Sequence, residues 1–436
     1  MIVRGGLVIT PEGAVAADIA VEDGTIVAIA PEMRGDAEEI DARGLAVLPG
    51  LIDVHVHFNE PGRTEWEGAA TGSRALAAGG GTTFFDMPLN SSPCTVGGAE
   101  FDAKRAAVEQ SAVTDFALWG GIVPGNLARL AEMAERGAIG FKAFMADSGL
   151  PEFPRSDDRT LFEGMREAAR LGLPVAVHAE NNDLVAPRGG SDVRAYLESR
   201  PILAEVEAIE RASLLAREAG AMLHVVHISS GRGVRAALEA RARGTDISIE
   251  TCGHYLWFTE EEMERTGAML KCAPPLRSGT EREALWQAVR TGEVDIVASD
   301  HSPSPPEMKQ DGNFFRVWGG VAGVQHTLGV LLSGASVERC AWVAAFQPAR
   351  RFRLRRKGRI AVGCDADFVL VDLAASQTVT RESLLQRHGL SPYVGATFRG
   401  VVRRTVLRGQ TIFLDGEITG TPQGRMIGHA ETRIHT

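Results

Sequence analysis

Between Gly50 and Gln347 the chain repeats one unit eight times: a short apolar run rich in β-branched and aromatic residues, then a longer amphipathic stretch. A strand that must return parallel to its predecessor needs a helix-length crossover, so this alternation selects a parallel sheet wrapped by helices, and eight such units are enough to close a barrel. The strand candidates are 51–57 (LIDVHVH), 81–87 (GTTFFDM), 115–121 (DFALWGG), 138–145 (AIGFKAFM), 174–180 (PVAVHAE), 222–229 (MLHVVHIS), 246–252 (DISIETC) and 294–301 (VDIVASDH). Helical periodicity is clearest over 202–220, where Ile202, Leu203, Val206, Ile209 and Leu214 recur. Residues 1–49 and 355–436 read as short strands broken by hairpin signals at Glu22-Asp23-Gly24 and Leu414-Asp415-Gly416. The expected fold is therefore α/β: a (β/α)8 TIM barrel over 50–354, inserted into a small β-sandwich domain formed by 1–49 and 355–436.

The bulk properties narrow the partners. A chain of 436 residues, 44% hydrophobic and 23% charged, has material for one large and one small core. Its net charge of −10 gives no basic footprint for nucleic acid or for an anionic membrane, which leaves a small molecule as the expected partner. The five cysteines are scattered and form no CxxC pair, so neither a disulfide framework nor a Cys-rich zinc site is indicated, and a reducing cytoplasm is the expected location. The first residues lack a signal-peptide pattern, and no apolar run approaches about 18 residues.

In such a barrel the chemistry sits where the strands end. Strand one ends His55-Val56-His57, strand four carries Lys142, strand five ends at His178, strand six at His227 and strand eight at Asp300. Residues i and i+2 of a strand share a face, so His55 and His57 are placed to grip one ion. A single strand histidine is more often a hydrogen-bonded core residue, and Asp300 alone would serve equally as a helix cap. Coincidence across five strand ends is what argues for metal. Lys142 cannot itself ligate, having no lone pair when charged. Its residues leave it open between a salt-bridged or snorkelling lysine and a nucleophilic amine that takes up CO2 to give a bridging carbamate. Two divalent ions against a carbamate, Asp300 and one hydroxide leave a charge of about +1, suited to negative charge developing on a carbonyl oxygen. His224, three residues before His227, falls on the opposite face and reads as a non-ligand. His254 and His301 read as supporting donors or plain structural groups, and the loop from Pro303 to Val317 as a lid or an ordinary surface loop.

The stretches PGLIDVHVHFNEPGRTEWEG (49–68), GFKAF (140–144), VHAEN (177–181), HISS (227–230), KCAPPLR (271–277) and SDHSPSPPEMK (299–309) resemble the cyclic amidohydrolases of the amidohydrolase superfamily, as does KGRIAVGCDADFVLVD (357–372) for the return into the β-domain. That resemblance implies two divalent ions, zinc first with manganese, cobalt or iron as alternatives. Their ligands would be His55, His57, carboxylated Lys142, His178, His227 and Asp300, and CO2 would supply the lysine modification. It also implies a homo-oligomer, typically a tetramer, and a reaction in which Asp300 takes the proton of the attacking water and hands it to the departing nitrogen. Dihydroorotases of this family place arginine where Asn59 stands. Hydantoinases and dihydropyrimidinases place tyrosine shortly after the lysine, where this chain has Ala146-Asp147-Ser148. Residues 59–68, 86–93, 304–309 and 318–320 are instead similar to the allantoin-hydrolysing branch. The resemblance thus implies allantoin as substrate, met by Asn59, Arg63, Asn90, Ser148, Ala273 and Gly320, although Arg63 and Asn90 read equally as loop ties. Ser148, Ala273 and Gln347-Pro348-Ala349 depart from the usual pattern of the family, but none is a predicted ligand. Relatives of this fold that have become non-catalytic scaffolds have lost their metal ligands, whereas all six positions are filled here.

Overall fold

The computed structural model describes residues 1–34, 38–187 and 189–428. The chain opens with strands β1 (Ile2–Thr10), β2 (Gly13–Glu22), β3 (Thr25–Ala30), β4 (Glu39–Asp41) and β5 (Ala46–Pro49). The barrel strands follow: β6 (Leu51–Val56), β7 (Gly81–Asp86), β8 (Asp115–Gly121), β9 (Gly140–Phe144), β10 (Val175–His178), β11 (Leu223–Val225), β12 (Ile247–Cys252) and β13 (Ile296–Ala298). After the last barrel helices come β14 (Phe368–Thr378), β15 (Thr397–Leu407), β16 (Gln410–Leu414) and β17 (Glu417–Ile418).

Strands β6 to β13 pair in chain order, all parallel, and a bridge between Val56 and His301 brings the last strand back to the first. All eight expected strands are present, but several stop earlier than the sequence suggests. His57 lies one residue past β6, while His227 and Asp300 lie two residues past β11 and β13. The helix Ile202–Ala219 corrects the periodicity reading in part: Leu203 and Leu214 face outward, 59% and 49% exposed, and the inner face is built mostly from Ala204, Ala208, Ile209, Ala212 and Ala216. Alanine carries no bulk beyond Cβ, so a face made largely of it packs closely against its neighbours. Among the described residues no helix is long and apolar enough to cross a membrane.

Both chain ends build one nine-stranded mixed sheet in the order β17-β16-β15-β14-β5-β1-β2-β3, with β4 on β1. Its own core gathers Val8, Ile19, Ile26, Val47, Phe368 and Val406. Residues 429–436 of the expected β-domain lie outside the described residues. Gly50 joins β5 to β6 where the backbone runs against Thr82; a Cβ there would meet the threonine side chain at 2.3 Å, so only glycine fits.

The barrel interior is plugged below the site by aromatic side chains. Trp119 donates to the Val54 carbonyl at 3.0 Å, lies parallel to the His224 ring and takes Phe352 edge-on at 5.4 Å. This apolar floor leaves the strand-end histidines and Asp300 grouped toward the C-terminal rim.

Candidate metal centre

His55 and His57 both aim Nε2 at one oxygen of Asp300, at 3.2 and 3.4 Å. On the other side, His178 Nδ1 stands 3.0 Å from His227 Nε2. The two groups adjoin, with the His55 and His227 ring centroids 5.4 Å apart. His227 and Asp300 hold positive φ, 41° and 46°, a conformation that costs a non-glycine residue about 1–3 kcal/mol. The turn swings each side chain out of the strand direction and into the centre, so the strain serves the cluster.

Lys142 on β9 is fully buried, and its Nζ has no hydrogen-bond partner. Burial pulls its pKa down to about 8, despite the attraction of Glu250 and Asp300. For His55, His178 and His227, burial first and then the Lys142 charge, among others, oppose protonation, so all three favour the neutral imidazole that can donate a lone pair. Asp300 is held well below the usual carboxylate range: burial works against ionisation, but His55 and His57 outweigh it. Four imidazole groups, a carboxylate and an orphaned amine suit a divalent cation centre, and His55, His57 and Asp300 already have donor atoms within 4.8 Å of one another.

Three residues that sequence reasoning missed hold these groups in place. Glu250 on β12 accepts from His55 Nδ1 at 2.8 Å, His224 Nε2 at 2.9 Å and the His227 backbone N–H at 3.0 Å. Its burial raises the cost of ionisation, yet His55 and His224 bring its pKa to about 2. Glu180 does the same for His178 Nε2 at 2.8 Å and is itself clamped by Arg200 at 2.6 Å. An anion on the far nitrogen fixes the tautomer, so His55 presents Nε2 and His178 presents Nδ1 as free lone pairs. Glu180 had a readable signal, standing two residues after a strand-end histidine and hence on its face. Glu250 had only the weak one of an acid inside an apolar strand. His224 is turned to Glu250 and Ser248, away from the ligand positions. His301 accepts from the Gly323 N–H at 3.1 Å and helps close the barrel.

Above the cluster opens a cleft of about 580 Å³. Asn90, Ser148, Ala273 and Gly320 line it; Asn59 and Arg63 do not. Asn59 reaches the Pro303 carbonyl, and Arg63 binds the Asn90 carbonyl at 3.1 Å and Glu152 at 3.2 Å, so in this structure both tie loops together. The segment from Phe315 to Gly320 walls one side of the cleft. It is held by Lys271, which donates to the Phe315 and Val317 carbonyls, and by Lys309, which donates to those of Ala268, Trp318 and Gly320.

The Amidohydrolase family model matches residues 46–412, spanning every barrel strand and, of the terminal sheet, β5, β14, β15 and the start of β16. The chain belongs to the amidohydrolase family. This amidohydrolase is 62% identical over 439 residues to the allantoinase of Solibacter usitatus (strain Ellin6076), covering 98% of this chain and 96% of that protein. It is 54% identical over 441 residues to the allantoinase of Rubrobacter xylanophilus (strain DSM 9941 / JCM 11954 / NBRC 16129 / PRD-1), covering 98% and 97%. Among solved structures it superposes on the L-hydantoinase (dihydropyrimidinase) from Arthrobacter aurescens with a TM-score of 0.95 at 34% identity, over 98% of this chain and 99% of that one. The sandwich-type terminal domain and barrel of the amidohydrolase thus match a solved fold along nearly its whole length.

Proposed function

We propose that the cleft opens the hydantoin ring of allantoin at its amide C–N bond, giving the ureido acid allantoate, as the names of the relatives at 62% and 54% identity suggest. The observation that carries the chemistry is Lys142: a fully buried amine with no hydrogen-bond partner beside four imidazoles and a carboxylate. Its depressed pKa favours the free amine, which adds to CO2 with loss of one proton to give a carbamate, an anion able to stand between two cations. Two divalent ions, zinc first among zinc, manganese, cobalt and iron, would be held by His55, His57, His178, His227, Asp300 and the Lys142 carbamate. When bound, they supply Lewis acidity toward the ring carbonyl and a lowered pKa for water.

The chain's own groups do the rest. Asp300, held as the carboxylate at neutral pH, accepts a proton from the attacking water and delivers it to the ring nitrogen as the C–N bond breaks. Glu250 and Glu180 keep the imidazoles oriented throughout. Asn90 and Ser148 offer polar side chains, and Ala273 and Gly320 offer backbone groups, to a ring dense in donors and acceptors. The same reading takes residues 50–354 as the catalytic domain, 1–49 with 355–436 as the second domain, and a cytoplasmic homotetramer as the working form.

The likeness to an L-hydantoinase gives the rival reading its footing, a simpler hydantoin or a dihydropyrimidine as substrate. Metal content of the purified protein, with rates on allantoin, hydantoin, dihydrouracil and dihydroorotate, separates the two: preference for any ring but allantoin overturns the substrate assignment. Asp300→Asn is expected to lower turnover by about 10²- to 10⁴-fold while metal content falls far less. Turnover near the parental rate would remove Asp300 from proton transfer.

A further inference from the structure

Asp300 belongs to a second cluster besides the one with His55 and His57: its carboxylate, the Cys252 thiol and the His254 ring also have donor atoms within 4.8 Å of one another. Cys252 ends β12, in register with Ala298 of β13 and two residues before Asp300 on that neighbouring path. Glu250, two residues earlier on β12, points into the barrel, so strand alternation turns Cys252 inward as well, one layer nearer the cleft. His254 is buried, and its ring nitrogens lack a well-formed hydrogen bond. Asp300 gives the same oxygen to both His55 and His57, so the two clusters meet at this one carboxylate.

The donor sets differ in kind. The centre described above contains no sulfur, whereas a thiolate with an imidazole and a carboxylate selects soft or borderline cations over magnesium, calcium and manganese. We propose that Cys252, His254 and Asp300 form a separate site for a thiophilic divalent cation such as cadmium, or zinc in excess, and that filling it withdraws Asp300 from proton transfer. The cation displaces the thiol proton, so one S–H bond is exchanged for one sulfur–metal bond and one proton is released, with no change of oxidation state. The inhibitory consequence rests on the proposed role of Asp300; the site itself does not.

The test titrates cadmium chloride into the metal-loaded enzyme, following both the ultraviolet thiolate-to-cadmium charge-transfer absorption and hydrolysis of allantoin. The expected result is absorption that saturates with one added cation per chain, in step with loss of activity. Cys252→Ser and Cys252→Ala, two variants in case one folds poorly, should lose the absorption and become about 10- to 100-fold less sensitive to cadmium. Cys364→Ser, which alters a buried thiol beside the terminal sheet and outside the cleft, should keep both responses. Absence of the absorption, its persistence in both Cys252 variants, or its loss in Cys364→Ser would overturn the site. If no preparation hydrolyses allantoin, the functional assignment falls while the absorption still reports on the site.

Discussion

Glu250 meets three donors with two oxygens, and two of those donors belong to predicted ligands. A glutamine of the same shape removes the anion that orients His55, and where its amide N–H faces His55 that ring would have to move its proton to the nitrogen turned to the centre. Glu250→Gln is therefore expected to weaken metal binding by about 10- to 100-fold, read by competition with a chelator. Unchanged affinity would reduce Glu250 to a packing role. The ligand candidates could be read from the sequence because their residue types are rare at strand ends and recur in register. Glu250 could not, because what makes it important is the convergence of β6, β11 and β12 on one point, which no local pattern encodes. Asn59 and Arg63 show the converse: polar residues beside a ligand motif, whose bonds go to the Pro303 carbonyl and to Asn90 and Glu152 rather than into the cleft.

At the scale of elements, the segment walling the cleft packs Phe315, Val317 and Trp318 against the core and is tied at its backbone by lysines. Lys309 gathers the carbonyls of Ala268, Trp318 and Gly320, while Trp318 meets Trp66 edge-on at 4.7 Å across the mouth. Replacing Lys309 with Met leaves those carbonyls without their donor, at a cost of about 1–3 kcal/mol, and loosens the wall. A lower thermal midpoint and a raised KM for allantoin are expected; an unchanged KM would show that the wall holds its shape without the lysine. Burial and the neighbouring Lys271 charge lower the Lys309 pKa to about 7 from 10.5. Above pH 7 the folded protein has begun to lose this proton while the unfolded chain keeps it, so the unfolded state binds more protons and stability rises with pH up to the unfolded value. Urea denaturation at pH 7 and pH 9 should show a smaller rise in Lys309→Met than in the parent. The sequence marked 303–317 as a loop and left its role open; the two lysines that fix it point at backbone carbonyls, and such contacts leave no trace in residue pattern.

At the scale of the molecule, a barrel between two halves of a sheet must be locked to it. Lys357 does this at the base of the barrel, opposite the cleft. Its Nζ reaches Asp115 at the start of β8, at 2.6 Å, and Asp365 and Asp367 just ahead of β14, at 2.9 and 2.6 Å. Asp115 is also held by the Arg408 guanidinium and accepts the Arg425 N–H at 2.9 Å. The hairpin signals made the terminal strands readable, but not that β5 would lie between β1 and β14 and so fuse the two ends, since the pairing joins residues more than 300 positions apart. Nor did the basic run 350–359 reveal which of its cations would be buried. The three carboxylates around Lys357 have oxygens close enough to share a cation, and the ammonium fills that place. Lys357→Ala should therefore do two things. Without the ammonium the buried acids repel, and the protein should lose about 3–5 kcal/mol. Calcium or manganese should then recover part of that loss in the variant while barely moving the parent, because three oxygen donors around the vacated point make a hard-cation site. Thermal melts of both proteins with and without added calcium decide it: equal shifts in the two would mean that the carboxylates separate once the lysine is gone, and that the lock holds only through the ammonium itself.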